Sequence, residues 1–230
     1  MNRFIATAFC TFFLTYAFNI DAQAQVINQS EVDKDLVRSL SFLFANTYTK
    51  DPDPLGVDFS IEAQGNYSNN PLDSDSLEQN LWSTLLSVRK GIYWNLSLSL
   101  SFLTPVNDNF QNGFSAGIGH AFDFKWGIIR SNVYFFSYNI EEIINQRGAG
   151  LTSLVYFKTG GFYTGLGLGG ENLTSEVQGT SVRSSNEVNT LSYRGLMSIL
   201  FVKGKNRISI DGSYLNTENY MASLSYGLRL

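Results

Sequence analysis

The chain has 230 residues with 16 Lys or Arg against 20 Asp or Glu, a formal net charge of -4. No basic cluster suited to tracking a phosphate backbone occurs along it, which excludes nucleic acid as a partner. It carries 18 Phe and 12 Tyr with only 16% charged residues, yet its mean hydropathy is -0.07, so apolar and polar side chains must be interleaved.

Met1-Asn2-Arg3 precedes an apolar stretch from Phe4 to Phe18, and Ala22-Gln23-Ala24 supplies a small-x-small cleavage pattern. Residues 1–24 therefore read as a secretory signal peptide, with Gln25 opening the mature chain. A retained spanning helix would need a longer apolar run. The single cysteine, Cys10, falls inside this stretch, which leaves the mature chain without disulfides or thiol chemistry. Thr7 stands where an acylation signal at Cys10 would place a branched apolar residue.

Residues 25–56 have a different period. Ser30-Glu31-Val32-Asp33 resembles a helix N-cap with an acid at N3, and Val32, Leu36, Val37, Leu40 and Phe44 return to one side. A helix over 31–46 is expected, stopped by Asp51-Pro52-Asp53-Pro54. A strand at 42–49 is the competing assignment, and an even strand count would then demand another strand, twelve rather than ten.

From Val57 to Leu230 the period is two. Val57, Phe59, Ile61 and Ala63 share one face against Asp58, Ser60, Glu62 and Gln64, and Ile92, Trp94, Leu96, Leu98, Leu100 and Phe102 share another against Tyr93, Asn95, Ser97, Ser99 and Ser101. Repeated dyad segments of about ten residues fit tilted strands crossing a hydrocarbon layer, whereas strands of soluble sandwiches are commonly about five or six residues long. The expected strands are 57–66, 81–89, 92–103, 114–124, 127–138, 148–157, 161–171, 191–202, 207–215 and 219–230, an all-β antiparallel transmembrane β-barrel of ten. Arg89-Lys90-Gly91, Lys125-Trp126, Lys158-Thr159-Gly160 and Lys203-Gly204-Lys205-Asn206 read as tight periplasmic turns. The segments 67–80, 104–113, 139–147 and 172–190 read as external loops, with 216–218 a short exception. The polar stretch from Glu171 to Asn189 reads as a surface loop.

Tyr220 to Leu230 alternates apolar and small or polar residues and resembles the terminal strand of bacterial outer-membrane β-barrel proteins. In that superfamily the last strand often ends in an aromatic residue, from which Leu230 departs. The resemblance covers 57–230. It implies residence in the bacterial outer membrane, contact with its lipid, and insertion by the barrel assembly machinery, and it assigns no particular porin, enzyme or adhesin family.

Charged side chains are costly at the lipid midplane, so those within strands should face inward. Asp58, Glu62, Arg89, Arg194, Asp211 and Arg229 are the expected lumen charge network, which either lines a water-filled path or pairs and closes it. Gly117 and Gly119 on one strand and Gly165, Gly167 and Gly169 on another either spare volume for the N-terminal helix or a ligand, or accommodate curvature. Trp82, Trp94, Trp126, Tyr193, Tyr214 and Tyr226 suit the lipid face or its boundary, and their dispersal argues against a carbohydrate platform. His120 is the only histidine, and Asp123, three residues away on a strand, faces the opposite direction, so no His-Asp relay forms. No catalytic residue, cofactor or metal site is expected; scattered carboxylates leave only a loop-bound Ca²⁺ open. The expected role is structural or surface-interacting, through the external loops. The alternative is a narrow porin-like channel for small solutes, occluded by the N-terminal helix.

Overall fold

A computed structural model describes residues 52–53, 55–69, 80–105, 110–140, 144–178, 185–214 and 220–230. Ten strands occupy them: β1 Phe59–Asn69, β2 Asn80–Gly91, β3 Leu96–Pro105, β4 Phe110–Phe124, β5 Gly127–Ile140, β6 Ile144–Thr159, β7 Phe162–Gln178, β8 Ser185–Lys203, β9 Asn206–Tyr214 and β10 Tyr220–Arg229. Each pairs antiparallel with its sequence neighbours, and β1 pairs with β10 from Ser60 opposite Arg229 to Ser68 opposite Met221, closing the sheet. Closure leaves no unpaired strand edge, which is the condition for placing a sheet in hydrocarbon. The expected signal peptide at 1–24 and helix at 31–46 lie outside the described residues.

Burial is inverted relative to a soluble protein. Phe59, Ile61, Leu98, Phe114, Phe122 and Ile210 point outward and are exposed, while Ser60, Gln64, Ser97, Ser115, Ser209 and Asp211 on the same strands point inward and are buried. The outward apolar faces form the band that lipid solvates. Trp82, Trp94, Trp126, Tyr193, Tyr214 and Tyr226 are all exposed.

One end of the barrel holds the tight turns and is called here the turn end; the other is the loop end. Gly160 (φ +62) and Gly204 (φ +60) adopt the left-handed conformation that the β6–β7 and β8–β9 turns require. The β2–β3 turn departs from expectation, because β2 continues to Gly91 and β3 begins at Leu96 rather than at Ile92. Leu96 N donates to Tyr93 O at 3.4 Å, and Trp94 and Asn95 have φ of 62° and 61°, the pattern of a type I′ turn. Gly91 ends β2 opposite Ser97, where a Cβ would collide with the Gly56 carbonyl and Leu55.

The barrel wall is uneven. β6, β7 and β8 have 16, 17 and 19 residues, whereas β9 and β10 have 9 and 10. The expected loop 172–190 is in large part strand, pairing from Leu173 opposite Thr190 to Gln178 opposite Ser185. The expected loop 139–147 shrinks likewise, with Ile140 opposite Ile144. Above the hydrocarbon layer both faces of a strand meet water, so strand continues there without apolar-polar contrast.

Candidate functional site: the barrel interior and its mouth

Residues 52–53 and 55–58 lie as a strap across the turn end. Asp58 N donates to Leu55 O at 2.9 Å, Gly91 N donates to Asp58 O at 2.9 Å, and Lys90 Nζ reaches Val57 O, which hold the strap to the β1–β2 side. Its other end reaches the opposite wall: Tyr163 Oη on β7 donates to Asp53 Oδ1 at 2.7 Å, and Arg207 on β9 lies 3.7 Å from Asp53. Pro52 and Leu55 of the strap are themselves buried.

Next to the strap, inward side chains of β4 to β8 make a dry layer. Ala121, Ile128, Leu154 and Tyr156 pack with Tyr163, Leu196 and Leu200, and none is more than 7% exposed. The layer is apolar apart from the hydroxyls of Tyr156 and Tyr163 and the buried Arg130, which lies on β5 between Ala121 and Leu154, and its side chains leave little room for an ion with its hydration shell.

Toward the loop end the interior holds a buried ion pair. Arg194 on β8 forms a 2.8 Å ion pair with Glu171 on β7, and both side chains are 2% exposed. Tyr134 on β5 bridges them, its hydroxyl donating to Glu171 and accepting from Arg194 Nη2 at 2.6 Å. Two bonded partners offset the desolvation that either charge would suffer alone. Tyr134, Phe136 and Tyr138 continue upward with ring centroids 6.2 and 5.7 Å apart, and Tyr138 donates to Gln146. On β5 Arg130 is also fully buried, with Nε 3.3 Å from Asn132 Oδ1 and Nη2 on Ser97 Oγ.

Of the six charges expected as a network, Glu62, Arg89, Arg194 and Asp211 occupy inward positions on β1, β2, β8 and β9, and the other two meet at the rim. Asp58 and Arg229 meet, Oδ2 to Nε at 3.0 Å, at the partly exposed turn-end rim. Arg194 pairs with Glu171, and Asp211 accepts from Ser209 at 2.6 Å. Arg89 is buried on β2 opposite Ser60 and Ser99, and Glu62 is half-buried on β1 opposite Ser87 and Gly227. Sequence reasoning passed over Glu171, Arg130 and Asp53. The rule that a charge within a strand faces inward would have found Arg130; nothing in the sequence foretells that Asp53 reaches β7. His120 faces outward on β4 opposite Leu96. Among the described residues no group of three or more His, Cys, Asp or Glu is gathered to hold a metal.

The interior glycines serve their neighbours' large side chains. A Cβ at Gly150 would fall on the Tyr134 ring, one at Gly148 on Phe136, one at Gly165 on Tyr156, and ones at Gly119 and Gly169 on Arg130 and Arg194. The volume that Gly119, Gly165 and Gly169 spare is thus taken within the wall itself, and the same pairing relieves crowding where large rings cover a curved sheet.

No protein-family model and no curated protein matches the sequence. Solved structures of similar shape include the N-terminal β-barrel domain of Pseudomonas aeruginosa OprF, 14% identical over 76% of this chain and 98% of that one with a TM-score of 0.37. Ail, the attachment invasion locus protein of Yersinia pestis, is 15% identical over 76% and 99% with a TM-score of 0.33. The translocator domain of the autotransporter NalP from Neisseria meningitidis is 12% identical over 87% and 95% with a TM-score of 0.40. A closed sheet of ten antiparallel strands, apolar on its outside and polar or packed within, is the architecture that spans outer membranes. The chain folds as a closed transmembrane β-barrel of this outer-membrane type.

Proposed function

We propose that the barrel is sealed and acts as a structural and surface-interacting element through its loop end, with the turn end toward the periplasm. The observation that carries this reading is the dry layer of Leu154, Tyr156, Tyr163, Leu196 and Leu200, backed by the strap tied across it from Asp58 to Asp53. Solute passage would need a continuous wet route, and this layer interrupts it. The loop end instead offers the raised wall of β6, β7 and β8 as a surface for contact. Insertion by the barrel assembly machinery fits the alternating last strand, Tyr220–Arg229.

Planar-bilayer recording of the mature protein beside a folded variant lacking residues 25–50 tests the seal. Both are expected to be silent, because the dry layer lies outside the deleted segment. Conductance in the deletion alone would make that segment a plug, and steady conductance in both would restore the narrow channel. Cysteines placed in 106–109 and 179–184 should label on intact cells while those at 125–126 and 204–205 stay protected; the converse would invert the orientation.

A further inference from the structure

The turn end is charged unevenly around its rim. Lys125 follows β4, Lys158 closes β6, and Lys203 and Lys205 flank the β8–β9 turn; all four are exposed. Across the barrel the β2–β3 turn presents Tyr93 and Trp94 and no exposed lysine. Among the described residues Lys125, Lys203 and Lys205 make no ion pair, and Lys158 Nζ lies 5.4 Å from the centre of the Tyr163 ring. Two acids at this end are engaged elsewhere, Asp53 with Tyr163 and Arg207 and Asp58 with Arg229. Asp123, exposed beside Lys125, is the acid left within the arc.

The same turns carry outward rings that fix their depth. Trp126 stacks on Phe157 at 5.3 Å and 14°, meets Phe124 edge-on at 4.2 Å, and Phe162 packs on Phe201 at 5.9 Å. Aromatic side chains of this kind settle where hydrocarbon gives way to headgroups. Lysines one or two residues from them stand level with phosphate, and a lysine stem can lie along apolar surface while its ammonium reaches the phosphate layer.

We propose that the lysine arc of Lys125, Lys158, Lys203 and Lys205 is a docking surface for the anionic headgroups of glycerophospholipids in the leaflet at the turn end. The complementarity is of charge, four ammonium groups against one remaining carboxylate among the described residues of the arc, and the occupant is the phosphate chemistry that the neighbouring rings place beside it. Basic residues near an anionic surface attract it, so the arc as a whole should favour a charged over a zwitterionic lipid by roughly tenfold or more. This goes beyond the sealed-barrel reading and does not depend on it, since conduction and headgroup preference are measured separately.

The test is native mass spectrometry of the full mature protein released from micelles holding equal amounts of phosphatidylglycerol and phosphatidylcholine. Wild type should retain phosphatidylglycerol in preference, the variant with all four lysines changed to serine should lose most of that preference, and the four Lys→Arg changes should keep it. Folding of each variant is checked by heat-modified gel mobility; should the fourfold serine variant not fold, K203S/K205S carries the test with a partial loss expected. Equal retention of the two lipids by wild type, or a preference untouched in the folded serine variants, overturns the proposal. Lysine-dependent co-sedimentation with purified cell-wall sacculi in the absence of any lipid preference would also overturn it, assigning the arc to the cell wall.

Discussion

Along β5 and β6 the inward residues include Arg130, Tyr134, Phe136, Tyr138, Leu154 and Tyr156, whereas along β10 and β1 they include Ser223, Ser225, Ser60, Gln64 and Asn66, and both sets are buried. The bulky half is built of large side chains laid over glycines of the adjacent strand, Tyr134 over Gly150 and Tyr156 over Gly165. The small half is built of short hydroxyls and amides bonded to one another, as Ser209 is to Ser225 at 2.6 Å and Asn66 Nδ2 to Ser83 Oγ at 3.1 Å. Serines with an open lumen before them would be wet, yet Ser101 and Ser209 are 1% and 0% exposed. One wall therefore fills the interior for both, and the energy of the seal is concentrated in β5 to β8 while the small half closes around it.

The strongest way to break this comparison is to remove a charge from the bulky half. Glu171→Ala leaves Arg194 buried with its carboxylate gone and takes an acceptor from Tyr134. Loss of one member of a buried pair costs about 3–5 kcal/mol. Denaturant unfolding in lipid vesicles should show a drop of that order, and a loss under about 1 kcal/mol would mean that water reaches Arg194 and that the bulky half is not dry.

Adding volume should tell the halves apart or unite them. Gly150→Val places its side chain where the Tyr134 ring lies and should cost about 1–3 kcal/mol by overpacking. Ser101→Leu sits in the small half, where Ser87 Oγ donates to Ser101 Oγ at 2.8 Å. If that half is closed, the leucine should cost about as much as the valine; if it lines a wet path, the leucine should be tolerated in the same unfolding measurement, and the seal would have to be ascribed to the bulky half and strap alone.

How much of this was legible follows from where two-residue alternation carries contrast. Between Val57 and Ala63, or Arg207 and Tyr214, lipid demands apolar side chains on one face and the interior accepts polar ones on the other, so facing and strand count could be read directly. Contrast fails in β5, where the interior takes Ile128, Tyr134 and Phe136 while the lipid side holds Ser131 bonded to Ser153 at 3.0 Å. It fails again past Glu171, where water replaces lipid and β7 runs on to Gln178 through residues that look like a loop. Glu171 sits at that transition, which is why its ion pair with Arg194 went unseen. The β2–β3 turn was hidden for the opposite reason: Ile92, Trp94 and Leu96 keep the alternation through a turn that a Trp-Asn pair does not announce.

The strap should respond less than the interior. Asp53→Ala removes the 2.7 Å hydrogen bond from Tyr163 and a 3.7 Å pairing with Arg207, whose Nη1 keeps bonds to Gly204 O at 2.6 Å and Asn206 O at 3.1 Å. A loss of about 1 kcal/mol is expected, since the Arg207 pairing is long and partly exposed. Amide hydrogen exchange should rise at Asp58 and Gly91, whose backbone groups the strap holds, and unchanged exchange there would mean that Asp53 does not anchor it.

The smallest expected effect, that of Ser225→Ala, lies in the hydroxyl ladder, and its direction follows from counting protons. Ser209 Oγ donates to Asp211 Oδ2 at 2.6 Å and touches Ser225 Oγ at 2.6 Å. A hydroxyl has one proton to give. With that proton committed to Asp211, Ser225 must be the donor in the second contact. Ser225→Ala then leaves Ser209 short of one incoming bond but strands no donor, and should cost about 0.5 kcal/mol, the low end for a neutral hydrogen bond. Ser209→Ala takes the donor away from a buried carboxylate and should cost more, about 1.5–3 kcal/mol. Unfolding of the two variants side by side checks the order; equal losses would mean that the protons run the other way along the ladder, and no loss in either would mean that water replaces the missing hydroxyl and that the small half is open.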